Sequence, residues 1–87
     1  MKIKTGYLLR DIAGQTIVVP VGMEAVSFNG IISLNKTGRE LWNALQIDRD
    51  VASLVTVLTS RFEVDPDVAK ADVESFITKL KKNSLLE

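Results

Sequence analysis

Residues 28–42 read Phe28-Asn-Gly-Ile-Ile-Ser-Leu-Asn-Lys-Thr-Gly-Arg-Glu-Leu-Trp42, and this stretch decides the fold. The β-branched pair near its centre predicts a short strand over Ile31–Leu34. Asn35 follows directly, and its side-chain oxygen can accept hydrogen bonds from the free N–H groups at the start of a helix. The stretch therefore predicts a strand joined to a capped helix, whose apolar stripe is formed by Leu41, Trp42 and Leu45.

The residues before this stretch predict a β-hairpin. Strands are expected over Tyr7–Ile12 and Thr16–Val21, joined by a turn in which Gly14 takes a positive φ. After the hairpin, a short extended piece is expected over Ala25–Phe28. Asn29-Gly30 is then a strong turn signal that leads into the third strand.

Three helices are predicted after the sheet. The first runs from Lys36 to Leu45, and the second follows a cap at Asp48 or Asp50. The third is capped by Asp65 and runs over Pro66–Lys82, with proline at the first helical position. We therefore expect a single α+β domain spanning residues 1–87, winged-helix-like, with a three-stranded antiparallel sheet followed by three helices.

The composition argues against several kinds of function. The 11 basic residues balance the 11 acidic residues, which disfavours a protein that binds nucleic acid through its phosphates. Without Cys and His, the chain lacks thiolate nucleophiles, the commonest general base near neutral pH and the commonest metal ligand. No apolar run approaches the ~20 residues that span a bilayer, and no signal-peptide core follows the first lysines. We expect a cytoplasmic protein with no membrane contact, no metal and no cofactor.

No catalytic constellation stands out among the charged residues. The acidic residues before the second helix and at the start of the third are explained by capping and by the helix dipole. Lys79, Lys81 and Lys82 complement the dipole at the end of the third helix as a solvated helix end, and the alternative is contact with phosphate or an acidic peptide. We therefore expect a binding protein and not an enzyme.

The third strand is the strongest candidate for a binding site. If the strand lies at the edge of the sheet, its alternate N–H and C=O groups have no partner. The segment Phe28–Leu34 contains no Lys, Glu or Pro to block edge pairing. The alternatives are a central position between the other two strands, or coverage by residues 22–29. An open edge beside a helix predicts a site where another peptide adds as a strand.

With these residues in view, the chain resembles the PqqD-like family. Its members are small domains called recognition elements of RiPPs, which are ribosomally synthesised and post-translationally modified peptides. Ile32-Ser-Leu-Asn-Lys-Thr-Gly-Arg-Glu-Leu-Trp42 is similar to the family's signature at the first helix. Leu58-Thr-Ser-Arg-Phe62 and Asp72-Val-Glu-Ser-Phe-Ile-Thr-Lys-Leu80 resemble its second and third helices. Leu85-Leu86 resembles the usual terminal pair and is expected to fold back onto the core. The resemblance covers nearly the whole chain.

The resemblance implies a function. Domains of this family bind the leader segment of a precursor peptide as an extra antiparallel strand, between the third strand and the third helix, and present it to a modifying enzyme, often a radical-SAM protein. Carried over by position, the implied peptide-binding residues are Gly30, Ile31, Ile32, Ser33 and Leu34 on the strand, and Lys70, Asp72, Val73, Phe76, Ile77 and Leu80 on the helix. Periodicity leaves open which of the helix residues face the groove and which face the core.

The sequence departs from the best-known family member at the end of the second strand. Val19-Pro20-Val21 stands where that member has an aromatic-Pro-Glu segment. The product of the pathway is therefore not assumed to be the quinone cofactor that gave the family its name.

Two other functions remain open from the sequence. A winged helix is also a DNA-binding architecture, although the second helix offers only Arg49 and Arg61, at its ends, as a basic face. A structural homodimer would pair the edge strand with its own copy. Dimerisation and peptide binding are compatible with each other.

Overall fold

A computed structural model of the protein describes residues 1–22 and 32–87. Its strands are β1 (Tyr7–Ile12), β2 (Gln15–Pro20) and β3 (Ile32–Leu34), and its helices are α1 (Lys36–Ala44), α2 (Val51–Arg61) and α3 (Pro66–Lys82). The predicted α+β class, a three-stranded antiparallel sheet followed by three helices, is confirmed for these residues. The predicted extended piece at 25–28, the turn at 29–30, most of the segment 22–29, and two candidate site residues, Gly30 and Ile31, lie outside the described residues.

The strand order places β3 at one end of the sheet. The order is β1-β2-β3, and both neighbouring pairs are antiparallel. Within residues 1–22 and 32–87, β3 has β2 on one side and no strand on the other. The alternative that the third strand lies between the other two is therefore excluded.

The turn between β1 and β2 holds two consecutive residues with positive φ. Ala13 has a φ of 52° and Gly14 a φ of 80°. Two such residues between paired strands are the mark of a type I′ turn, whose twist matches that of the hairpin. Gly14 adopts this backbone at little cost, as the sequence predicts, whereas alanine at the first position is strained.

Replacing Ala13 with asparagine is expected to stabilise the protein. Asparagine is preferred at the first position of a type I′ turn and tolerates the left-handed region, so we expect a gain of about 0.5–1 kcal/mol in the free energy of unfolding. Urea denaturation followed by circular dichroism measures the change. Ala13→Val is the control and should destabilise, because a β-branched side chain disfavours positive φ. Equal stability of the two variants would contradict the assignment of the turn.

Each helix begins at a side-chain cap that the sequence provides. Asn35 Oδ1 accepts a hydrogen bond from the Gly38 N–H at 2.8 Å, and Asp50 Oδ1 accepts one from the Ser53 N–H at 2.8 Å. Asp65 caps α3. Of the two candidates for the second cap, Asp50 is therefore the residue that serves.

The apolar faces of the helices meet the inner face of the sheet in one cluster. Trp42 is 2% exposed, which places it in the core and not on the surface. Leu85 is fully buried, and Leu86 forms a β-bridge with Ile3, so the end of the chain folds back as expected. The remaining fully buried leucines of the cluster are Leu41, Leu45, Leu54, Leu58 and Leu80. This packing holds α3 beside the sheet.

Candidate functional site

The hydrogen-bond pattern of the sheet determines which way the backbone of β3 faces. The Val21 N–H donates to the Gly6 carbonyl at 2.8 Å, in register with the pairing of β1 and β2. Hydrogen-bonded and non-bonded pairs alternate along an antiparallel ladder. The backbone groups of Val21, Val19 and Ile17 therefore face β1, and those of the residues between them face β3. Thr16 and Val18 are therefore the β2 residues that bond to β3.

It follows that Ser33 turns its backbone away from β2. Thr16 is paired with Leu34 and Val18 with Ile32, so these pairs exchange the hydrogen bonds. Ser33 stands opposite Ile17 in the intervening non-bonded position. Both the N–H and the C=O of Ser33 consequently face the open edge, where an added strand would find them.

A side chain from α3 lies at this edge. Lys79 Nζ donates a hydrogen bond to the Ser33 carbonyl oxygen at 3.2 Å, and both residues are exposed. This contact is independent support for the outward direction of the Ser33 carbonyl. It also shows that α3 runs close enough to β3 for one side chain to bridge the gap.

Between β3, the start of α1 and α3 there is an open groove with a volume of ≈ 350 Å³. Its floor is apolar and buried, and it is formed by Leu34, Gly38, Leu41 and Phe76. Its rim is polar, and it is formed by Ser33, Asn35, Thr37, Asp72, Ser75 and Lys79. A strand added to β3 would place alternate side chains into this groove.

Gly38 gives the groove its depth. A Cβ atom on Gly38 would lie 3.1 Å from Asn35 Oδ1, 3.4 Å from Phe76 Cε1 and 3.5 Å from Leu34 Cβ. The first two distances are shorter than or at the limit of ordinary contact, so a side chain here would press on the helix cap and on the Phe76 ring. The close approach of α1 to the sheet explains a glycine inside a helix, where it costs up to about 1 kcal/mol relative to alanine.

The positions on α3 divide into a groove face and a core face. Asp72 and Lys79 are seven residues apart, so they lie about 20° apart around the helix axis and about 10 Å apart along it. Phe76 lies between them and forms both groove floor and core, with 8% of its surface exposed. Among the other implied peptide contacts, Val73, Ile77 and Leu80 are buried in the core.

The implied strand residues also differ in their placement. Ser33 and Leu34 line the groove, whereas Ile32 is buried on the inner face of the sheet. Lys70 is exposed but does not line the groove, because it lies about 180° from Lys79 around α3. The peptide contacts of all these residues stay predictions.

Several groove residues were not identified from the sequence. They are Asn35, Thr37, Gly38, Leu41 and Ser75, whereas Lys79 was named only as an alternative contact to phosphate or an acidic peptide. A helical spacing of three, four and seven residues from Asp72 gives Ser75, Phe76 and Lys79, so the groove face of α3 could have been found from periodicity once Asp72 was chosen. No sequence signal indicates that the start of α1 completes the groove.

Few other features of the described residues suggest a binding or catalytic site. In residues 1–22 and 32–87, no group of three or more His, Cys, Asp or Glu comes together as a metal site, and no helix is long and apolar enough to cross a membrane. The pKa of Asp48 is lowered by a hydrogen bond from the Met1 ammonium and by its charge. Asp48 lies in the connection between α1 and α2, and neither Asp48 nor Met1 lines the groove.

The family described as Coenzyme PQQ synthesis protein D (PqqD) matches residues 15–86, from the start of β2 to the folded-back end of the chain. The chain belongs to the PqqD family. The match includes β3, α1 and α3, which form the groove, and so it confirms the resemblance seen in the sequence. None of the curated proteins matches the chain significantly.

Two solved structures share the fold of this PqqD-family chain. One is TbiB1 in complex with the TbiA(beta) leader peptide, with a TM-score of 0.75 and 20% sequence identity, covering 100% of this chain and 95% of that one. The other is a lasso peptide synthetase B1 complexed with the leader peptide, with a TM-score of 0.71 and 20% identity, covering 97% of this chain and 93% of that one. At this identity the comparison establishes the common fold. Both of those structures are complexes with a leader peptide.

Proposed function

We propose that this protein is a non-catalytic peptide chaperone that binds the leader segment of a ribosomally synthesised precursor peptide and presents it to a modifying enzyme. The leader adds to β3 as a further antiparallel strand and lies in the groove between β3 and α3. The observation that carries this proposal is the outward backbone of Ser33 beside that groove. Membership of the PqqD family and the leader complexes of the two related folds support it.

Strand addition suits the chemistry of the groove. Ser33 offers one N–H and one C=O to a guest residue, and an existing antiparallel sheet favours an antiparallel guest. The apolar floor receives guest side chains, and full burial of each contributes ~1.5–3 kcal/mol. Ordering a flexible peptide removes a good part of this gain. We therefore expect affinities in the micromolar to sub-micromolar range, which allow both capture and release.

The modifying enzyme and the cellular location belong to the same proposal. The resemblance that first indicated the function favours a radical-SAM enzyme as the partner that receives the peptide. We place the protein in the cytoplasm, where ribosomal precursor peptides are made. A radical-SAM gene and a short precursor reading frame beside the gene for this protein are the expected genomic context, and a different modifying enzyme there would replace the radical-SAM assignment.

Titration of a leader peptide tests the proposed site. Synthetic leaders of the short reading frames beside the gene are added to ¹⁵N-labelled protein, and amide chemical shifts are followed by NMR. The expected result is saturable shifts at Ser33, Leu34, Gly38 and along the groove face of α3. Shifts confined to another surface, or no binding by any of these leaders, would contradict the proposal.

The two alternative functions predict other outcomes. A homodimer through β3 would sediment as a dimer at micromolar concentration, and a leader that adds to the same edge would shift it toward the monomer. DNA binding has little support, because the arginines of its proposed basic face are engaged within the protein. The Arg49 guanidinium donates hydrogen bonds to the Ala44 carbonyl oxygen and to Ser53 Oγ, both at 2.8 Å. Arg61 Nε forms an ion pair with Glu40 Oε2 at 3.3 Å.

A further inference from the structure

The groove carries opposite charges at its two ends. Asp72 and Lys79 are both exposed on the groove face of α3, about 10 Å apart along the helix, and the Phe76 ring lies between them. Lys79 is at the β3 end, because its ammonium contacts the Ser33 carbonyl. Asp72 is two helical turns earlier in α3, on the other side of Phe76 from Lys79.

An antiparallel guest strand would meet these groups in a fixed order. The side chain of the guest residue opposite Ser33 points outward, as the Ser33 side chain does. The side chains of the guest residues opposite Leu34 and Ile32 therefore point inward, toward α3. The residue opposite Leu34 comes first in the guest sequence and would face Phe76, because Phe76 and Leu34 both approach Gly38. The residue opposite Ile32 comes two positions later and would face Lys79, which follows Phe76 along α3 and reaches Ser33. The guest residue two positions before the first lies on the side of Asp72.

We propose that the groove selects a peptide strand in which a basic residue precedes an acidic residue by four positions, with an apolar residue midway. The basic side chain pairs with Asp72, the apolar side chain packs on Phe76, and the acidic side chain pairs with Lys79. Four strand residues span about 13 Å, and the lysine or arginine stem of the guest bridges the small difference from the helical spacing. This inference rests on the proposed function and adds a sequence rule to it.

Lys79 has a second role in the proposed recognition of the peptide. In the free protein its ammonium bonds to the Ser33 carbonyl, which is the acceptor that the guest N–H needs. Entry of the guest therefore exchanges one donor for another at the same oxygen. The released ammonium then lies beside the guest residue opposite Ile32, where a carboxylate would satisfy its charge.

Selection from a display library of random dodecapeptides tests the rule. The library is selected at low salt on the wild type, Asp72→Lys and Lys79→Glu, and on the controls Glu74→Lys and Lys81→Glu. Each control makes the same charge change two residues away, on the opposite side of α3. We expect the basic-x-apolar-x-acidic pattern from the wild type and both controls. Asp72→Lys should select an acidic residue at the first position, and Lys79→Glu a basic residue at the last.

A charge-swap measurement then gives the size of the effect. One enriched peptide and its version with the two charges exchanged are titrated by calorimetry into the wild type and the double variant Asp72→Lys/Lys79→Glu. Each protein should prefer its matching peptide by about tenfold, and the preference should shrink as salt is added. Peptides that bind in the groove without this preference, or that carry the reverse order, would overturn the sequence rule alone. A library that yields no groove binder at all would overturn the proposed function with it.

Discussion

Replacing Ser33 with proline is expected to reduce leader affinity at least about a hundredfold, which is about 2.7 kcal/mol, while the protein stays folded. The Ser33 N–H faces the open edge and is not used by β2, so its loss leaves the β2–β3 ladder intact. Ile32 is extended, which is the conformation that a residue before proline requires. A guest strand, however, loses its donor at Ser33 and meets the pyrrolidine ring instead.

Calorimetric titration of a bound leader or library peptide measures this loss, and a thermal melt checks the fold. Ser33→Ala is the matched control, because it changes the same exposed side chain and keeps the N–H. The alanine variant should bind within about threefold of the wild type, since surface substitutions usually change free energies by less than about 0.5 kcal/mol. If the folded proline variant binds as tightly as the alanine variant, the guest does not pair with β3.

Replacing Phe76 with alanine is expected to weaken both the fold and the site. Phe76 is 8% exposed and belongs to the core cluster, and a Cβ on Gly38 would lie only 3.4 Å from its ring. Truncation of a buried phenylalanine costs about 3–5 kcal/mol, a large share of the 5–15 kcal/mol typical of whole domains. For a chain of this size the melting temperature should fall by about 15 °C or more.

Leu58→Ala separates the two effects. Leu58 is fully buried in α2 and does not line the groove, and its truncation should cost about 2–5 kcal/mol. At a temperature where both variants are folded, Leu58→Ala should keep its peptide affinity, whereas Phe76→Ala should lose about tenfold or more because the floor no longer contacts the guest. Phe76→Leu provides a milder variant should the alanine protein unfold. Equal affinities across these variants would remove Phe76 from the site.

Most of the fold follows from local signals in the sequence. Asn35 and Asp65 have side-chain oxygens that accept hydrogen bonds from helical N–H groups, and their positions indicate where α1 and α3 begin. The strand boundaries differ from prediction by one residue at β2, because Gln15 already pairs with Ile12. The tight turn that permits this pairing needs a positive φ at Ala13, which propensity does not indicate for alanine.

The candidate site could be predicted only in part. The sequence left both an edge and a central position open for β3, and the strand order selects the edge. Helical periodicity could not separate Val73, Ile77 and Leu80 from the groove, because a helix packed between a core and a groove presents apolar residues to both. The contact between Lys79 and Ser33 joins residues 46 positions apart, and no local pattern contains such information.

The ammonium of Lys79 is also expected to protect the peptide-free protein against aggregation. An exposed strand edge is a template for growth into aggregates, and lysines on such edges suppress that growth. Here the lysine belongs to the neighbouring helix, so β3 itself keeps a sequence fit for pairing. A rotation of one flexible side chain, on the picosecond-to-nanosecond timescale of exposed residues, removes the protection when a proper partner arrives. If the proposed function holds, the same oxygen atom serves both protection and recognition. The solubility of the concentrated free protein should then fall more on loss of this cation than on loss of any other lysine of α3.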